Sequence, residues 1–283
     1  MIKNVTSFYY DGKDNGIILD DAYDLYKRSQ YIKYVNEHSI NYLRCQDVDM
    51  NLLTFFPEIE FITVPEDAEH LENIYKLRKL KGLEIAANKL KLLDLSGFSN
   101  LEYLIVHDYS NGCNLSLNCN KLKHLFIIHS NITDLNSISI NCNLESLHLE
   151  FCYNLKTLDG IRLFGQLKRV ILDYCLKLKN ISDLKFFANS LKCLRITDCN
   201  KINELSDTLS ELLAIESIHL STSQTNCVNK LPSVCFVDKL VRLKSFLTDY
   251  QIEDGDLKPL LKIKEVDILK FYKSYNLQKA SFK

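Results

Sequence analysis

Seven segments of the chain carry one phrase, an apolar residue followed by apolar residues three and five positions later. They are LKGLEIAANKL from Leu80, LEYLIVHDYSN from Leu101, LKHLFIIHSNI from Leu122, LESLHLEFCYNL from Leu144, LKRVILDYCLKL from Leu167, LKCLRITDCNKI from Leu191 and IESIHLSTS from Ile215. Their starts lie 21, 21, 22, 23, 24 and 24 residues apart, and weaker copies begin at Ile40, Ile59, Leu243 and Ile263. A period of this length constrains the fold strongly. Each segment reads as a short alternating strand too small to bury its own apolar face, so the turns must stack and share one continuous core. In the turn from Leu144, the residues Leu144, Leu147, Leu149, Leu155 and Leu158 are then core.

The full phrase, L-x-x-L-x-L-x-x-N/C-x-L, resembles that of the leucine-rich repeat family over residues 40–271. The resemblance implies an α/β leucine-rich-repeat solenoid, a curved horseshoe with a parallel β-sheet on the concave face and short helical or irregular returns on the convex face. Residues 40–271 are expected to form one continuous domain, with 1–39 as an N-terminal cap and 272–283 as a C-terminal tail or cap. The segment Asp20 to Ser39 has apolar residues near helical spacing at Ala22, Leu25, Tyr26, Ile32 and Val35, which predicts an amphipathic helix covering the first strand edge. The returns SDLKFFANS and SDTLSELLA read as short helical turns opened by a Ser or Asp cap.

Cys152, Cys175 and Cys199 recur at the ninth repeat position, where Asn88 and Ser130 stand in other turns. Small buried thiols there can bond to free backbone groups of adjacent turns, as Asn does. Stacked along one line, three thiols cannot surround a metal, and the chain has no C-x-x-C pair. The expectation is a structural ladder, with no metal and no cofactor. Cys193 is expected on the concave side and is the thiol to test for reactivity.

Alternation along each strand places the third, fifth, seventh and eighth positions outward. The fifth positions are Glu84, Ile105, Phe126, His148, Ile171, Arg195, His219 and Leu247. The seventh are Ala86, His107, Ile128, Glu150, Asp173, Thr197, Ser221 and Asp249. The eighth are Ala87, Asp108, His129, Phe151, Tyr174, Asp198, Thr222 and Tyr250, and the third add Tyr103, His124 and Arg169. Two features mark this face as a binding surface. Tyr103, Ile105, Phe126, Ile128, Phe151, Ile171 and Tyr174 are expected to make an exposed apolar patch. Glu84, Asp108, Glu150, Asp173, Asp198 and Asp249 outnumber Arg169 and Arg195, which predicts an acidic face.

A net charge of −1 and that acid excess disfavour nucleic-acid binding, since phosphates would be repelled. No apolar run approaches the roughly 20 residues needed to span a bilayer. The start MIKNVTSFYYDGKDNG lacks a secretory leader's apolar core, and ten Cys then read as reduced thiols in a cytoplasmic protein. With only 8 Gly and no phosphate-loop or nucleophile-elbow motif, catalysis lacks support. Clustered His and acids on the face leave an enzyme as the least favoured reading, because an open sheet has no walls to exclude water. The leading expectation is a non-enzymatic module that binds a protein partner with a basic surface, such as a toxin or nuclease, and sequesters or inhibits it, as an immunity-type protein would. The alternative is a substrate-recognition adaptor of a ubiquitin ligase, which the cysteine position resembles.

Overall fold

The computed structural model describes residues 2–5, 15–20, 24–46, 49–88, 90–110, 113–140, 143–223 and 229–268. The main sheet has 13 strands, and every pairing given for it is parallel except the first. The chain divides into two compact units, residues 1–125 with 139–142, and residues 126–138 with 143–283.

In the first unit the register Gly16, Tyr42, Phe61, Gly82, Tyr103 runs across successive strands. In the second it runs Ser146, Arg169, Cys193, Ser217, Ser245, Glu265. Third positions therefore align with third positions, including those of the four weak copies. The fourth and sixth positions point inward: Leu83 and Ile85, Leu104 and Val106, Leu147 and Leu149, Val170 and Leu172, Leu194 and Ile196, and Ile218 and Leu220 are all 2% exposed or less. Register is this strict because a one-residue slip would turn every one of these side chains to the opposite face.

The N-terminal segment does more than cover an edge. Gly16–Leu19 is a further parallel strand beside Tyr42–Cys45, and Lys3–Val5 pairs antiparallel on its outer side. The helix Leu25–His38 is the return that joins Gly16–Leu19 to Tyr42–Cys45, and the place expected of it at the edge is taken by these strands. It begins after Asp24, whose side chain accepts from the Lys27 N–H at 2.9 Å, and ends at Ser39 in the left-handed region. Tyr31 is its one buried residue, whereas the predicted apolar positions Leu25 and Tyr26 lie exposed. Ala22 and the proposed C-terminal tail, 272–283, lie outside the described residues.

The returns are 3-10 turns, a short helix and, unexpectedly, strands. Leu92–Asp94 pairs parallel with Asn114–Leu117 in a separate three-stranded sheet. The turn Ser182–Phe187 and the helix Leu205–Ser210 sit where helical returns were predicted, but without the expected Ser or Asp caps. Their N-cap residues are Ile181 and Glu204, with no side-chain cap bond, and Asn180 Oδ1 instead accepts from the Ser182 N–H at 2.8 Å.

A candidate binding face at the strand ends

The side chains singled out in the sequence separate into three groups: a stack of rings, a set of buried ion pairs and a set of acids consumed by turns. The rings come from the eighth position. His129, Phe151, Tyr174 and Asp198 all adopt φ of 54–55°, a left-handed conformation that side-chain-bearing residues seldom take. Each donates its N–H to a carbonyl of the next strand: His129 to Glu150, Phe151 to Asp173, Tyr174 to Thr197 and Asp198 to Ser221, at 2.8–3.0 Å. The chain leaves each strand through this bond, and the conformation is the geometric cost of making it. Left-handed residues cost roughly 1–2 kcal/mol each, which stacking partly offsets. The His129 and Phe151 rings stack at 4.8 Å and 7°, and Phe151 stacks on Tyr174 at 4.8 Å and 21°. That distance is the strand spacing itself. His129 is exposed, and Phe151 and Tyr174 are half-buried.

In the first unit Tyr103 and His124 stack at 4.5 Å and 7°, both half-buried. Phe61 leans toward Tyr103 to 6.5 Å across the strand that carries Gly82. Beside them a chain of hydrogen bonds crosses the strands. The Tyr42 hydroxyl meets Thr63 Oγ1 at 2.9 Å, Thr63 Oγ1 donates to Glu84 Oε2 at 2.7 Å, and His107 Nε2 lies 2.8 Å from Glu84 Oε1. Burial works to raise the Glu84 pKa, but the bonds from His107 and Thr63 outweigh it and hold the carboxyl below its ordinary range.

The second unit has a parallel arrangement around Asp173. Arg195 Nε donates to Asp173 Oδ1 at 3.3 Å, and a second guanidinium nitrogen bonds Oδ2, so the pair is bidentate. His148 Nε2 lies 3.2 Å from Asp173 Oδ2 and 3.8 Å from Glu150 Oε2, and its ring meets Phe126 edge-on at 5.5 Å. His148 Nδ1 is buried with no hydrogen-bond partner. Burial pushes the Asp173 pKa up, yet the bonds from His148 and Arg195 prevail and hold it low. Burial, then the neighbouring Arg195 charge, push His219 down.

These shifts fix the sign of a pH response. A carboxyl with a depressed folded pKa stabilises the protein fully above its unfolded value, and that contribution is lost as pH falls through the folded value. His219, depressed by burial, likewise favours the folded state above its unfolded value and disfavours it in acid. Acid should therefore destabilise the protein. The gap in thermal midpoint between wild type and Asp173→Asn should be widest near pH 6 and narrow as pH falls below about 4. A gap that widens in acid would contradict this.

The exposed apolar patch expected from the sequence is smaller than predicted. Ile105, Phe126, Ile128 and Ile171 are 6% exposed or less, because flanking strands and long neighbouring side chains close over the fifth and seventh positions. Tyr250 is buried too, and burial pushes its hydroxyl far above the usual range. The acidic face also needs correction. Asp198, fully buried, accepts from Thr222 Oγ1 at 2.8 Å, from Ser223 Oγ at 2.6 Å and from the Ser223 N–H at 3.0 Å. Asp249, also buried, takes the Thr222 N–H at 3.1 Å. Both acids hold turns together and face no solvent. With Glu84 and Asp173 internally paired, Asp108 and the half-buried Glu150 are the acids of the set still open to solvent. Exposed Arg169 offsets one of them, while Arg195 is already engaged by Asp173. Most of the predicted acid excess is thus engaged within the protein, which weakens the electrostatic argument for a basic partner.

The cysteine ladder forms as expected. Cys152 Sγ donates to the carbonyls of Ile127 and Glu150, Cys175 to Leu149 and Asp173, and Cys199 to Leu172 and Thr197, at 3.4–3.7 Å. Its neighbours Cys152 and Cys199, then burial, push the Cys175 thiol well up. Among the described cysteines, native-state alkylation mapped by mass spectrometry should label exposed Cys235 first and half-buried Cys193 more slowly. Cys152, Cys175 and Cys199 should react after unfolding, and native labelling of Cys175 would refute the ladder. Among the described residues no group of three or more His, Cys, Asp or Glu is placed to hold a metal ion, and no helix is long and apolar enough to cross a membrane.

No family model matches the chain, and no curated protein matches it. Among solved structures it is similar to internalin C2 from Listeria monocytogenes, with 19% identity, 77% of this chain and 83% of that chain covered, and a TM-score of 0.47. It is also similar to TLR13 solved in complex with ssRNA13, with 13% identity, 81% of this chain covered and a TM-score of 0.35; the match spans about half of that chain, 49%. The assignment rests on the chain itself. Its 21–24-residue phrase, its parallel strands aligned third position on third position and its buried cysteine ladder make this a leucine-rich-repeat fold.

Proposed function

We propose that the protein binds a protein partner at the strand-end face of its second unit, centred on His129, Phe151 and Tyr174. The observation that carries this reading is the ring stack. It sets exposed His129 and half-buried Phe151 and Tyr174 side by side next to half-buried Glu150, and it holds them on backbone locked by the sheet. Rigid aromatic side chains are frequent anchors of protein interfaces, since they lose little entropy on binding. Both faces of the central Phe151 ring are covered by His129 and Tyr174, so at its centre the stack offers an edge and not an open platform. Such an edge packs against apolar side chains, and the central ring cannot take a nucleobase on its face, which weighs toward a protein over single-stranded nucleic acid.

The test begins with co-purification from native cells to obtain a stoichiometric partner. Calorimetry should then show Phe151→Ala with Tyr174→Ala binding at least roughly 10-fold more weakly than wild type. An unchanged affinity would overturn the assignment of this face. Double charge reversal at Asp173 and Asp198 is not a usable test, since both are buried, Asp173 in its pair with Arg195 and Asp198 on the turn at Thr222 and Ser223. Inhibition of the partner, the finer role proposed from the sequence, is read by titrating the protein into the partner's own assay. Activity must fall in proportion to complex formed.

A further inference from the structure

A second surface lies on the return side of the second unit. Its last five returns each carry two adjacent large apolar residues, one facing in and one facing out. The inward members are Phe164, Phe187, Leu212, Leu240 and Leu260, all 3% exposed or less. The outward members are Leu163, Phe186, Leu213, Val241 and Leu261, between 48% and 86% exposed. Each return buries further apolar residues, among them Ile161, Leu184, Leu209, Val237 and Leu257, so the core does not depend on the outward one. Single exposed apolar residues are ordinary on a protein surface, but five on successive, mutually packed returns form a row, an uneven one in which the outward residue precedes its inward neighbour in the first two returns and follows it in the last three. Among the described residues the first unit has no such unbroken run: Phe55 and Leu92 are exposed beside buried Phe56 and Leu93, but the return between them has Lys76 beside buried Leu77.

Charge is patterned along the row. Arg162, Lys185, Lys239, Arg242 and Lys258 are exposed, and none has an ion-pair partner among the described residues. They flank Leu163 and Phe186 at one end and Val241 and Leu261 at the other. The middle return, that of Leu213, carries exposed Asp207 and Glu211, while at the far end exposed Asp238 is neutralised by Lys262 at 2.9 Å and exposed Asp256 precedes Lys258. From this arrangement we infer that the row is a docking surface for an amphipathic helix of a partner protein, with acidic residues flanking its apolar stripe at both ends. The dimensions agree. Turns stacked roughly 5 Å apart make a row of about 20 Å, and an α-helix of about 14 residues has that length and repeats its apolar face every 5.4 Å. A second copy of this protein fits poorly, because a two-fold arrangement would set basic ends on basic ends and the acidic middle on itself. An anionic membrane fits poorly because the acids of the Leu213 return would press against its headgroups.

The experiment uses a display library of 16-residue peptides selected against the full chain. Enriched peptides should carry apolar residues at i, i+4, i+7 and i+11 with Asp or Glu flanks. They should bind Phe186→Asp with Val241→Asp at least 10-fold more weakly than wild type, while Phe151→Ala with Tyr174→Ala leaves them unaffected. The aspartate variant should keep the wild-type circular dichroism and thermal midpoint, since both residues project into solvent. Peptides without the period or the acidic flanks would overturn the inference, as would no enrichment at all. So would binding that survives the aspartate variant, or that is lost instead with Phe151 and Tyr174, which would place the peptides at the strand-end face. Vesicle binding or concentration-dependent dimerisation abolished by the aspartate variant would also overturn it in favour of a membrane or a second copy.

Discussion

Leu149→Ala is expected to destabilise the protein by about 2–5 kcal/mol in urea unfolding, the range for a fully buried leucine whose cavity cannot collapse. Leu149 is 0% exposed and pairs in register with Leu172, and the Cys175 thiol bonds its carbonyl. Neighbouring strands hold its site open, since their spacing is set by the ladder of backbone bonds on either side. Stacked repeats touch mainly their neighbours, so the loss should also reduce the cooperativity of unfolding, seen as a lower dependence on denaturant. Leu163→Ala, at an exposed position, should cost under about 0.5 kcal/mol. Similar costs for the two would mean that the inward and outward assignment is wrong.

Asp198→Ala should cost about 3 kcal/mol or more, although its place in the repeat is that of the outward-facing rings. The carboxylate is fully buried and satisfies the hydroxyls of Thr222 and Ser223 and the Ser223 N–H. Truncation strands these donors at roughly 1–3 kcal/mol each, with incomplete additivity. It also puts alanine at φ 54°, where Asp and Asn are tolerated best. Asp198→Asn should fall between wild type and alanine, since it keeps the backbone tolerance and one acceptor oxygen but turns an amide donor toward other donors. Equilibrium unfolding of the three proteins decides the matter. If alanine costs less than about 0.5 kcal/mol, Asp198 is a surface residue after all and the sequence-based placement stands.

Asp198 also shows where sequence reading stops. Strand alternation puts Phe151, Tyr174 and Asp198 in one column, and in backbone terms they are equivalent, with nearly the same φ and the same N–H bond to the next strand. Two of them stack their rings in partial contact with solvent. The third turns inward because Thr222 and Ser223 on the following turn offer three donors to its carboxylate. Nothing in the phrase from Leu191 announces those donors. Ile105, Phe126, Ile128 and Ile171 fail in the opposite direction: their positions face outward, but bulky neighbours on adjacent strands close over them. The outward row Leu163, Phe186, Leu213, Val241 and Leu261 was present in the sequence as apolar pairs, yet the returns vary in length, so no fixed spacing reveals it.

The sequence alone determined the period, the strands, their register, the inward leucines and the cysteine ladder. Each follows from a local rule repeated along the chain, in which apolar side chains alternate and every turn must share its core with the next. Tertiary structure decided what the outward positions do. Whether a side chain there is ring stack, ion pair, turn cap or open surface depends on which residues stand 20 to 28 positions away on the adjoining turns, and on which of them supply hydrogen bonds or bulk. It also decided the N-terminal end, where Gly16–Leu19 extends the sheet because the edge of Tyr42–Cys45 had backbone groups to pair, a demand the repeat phrase does not encode.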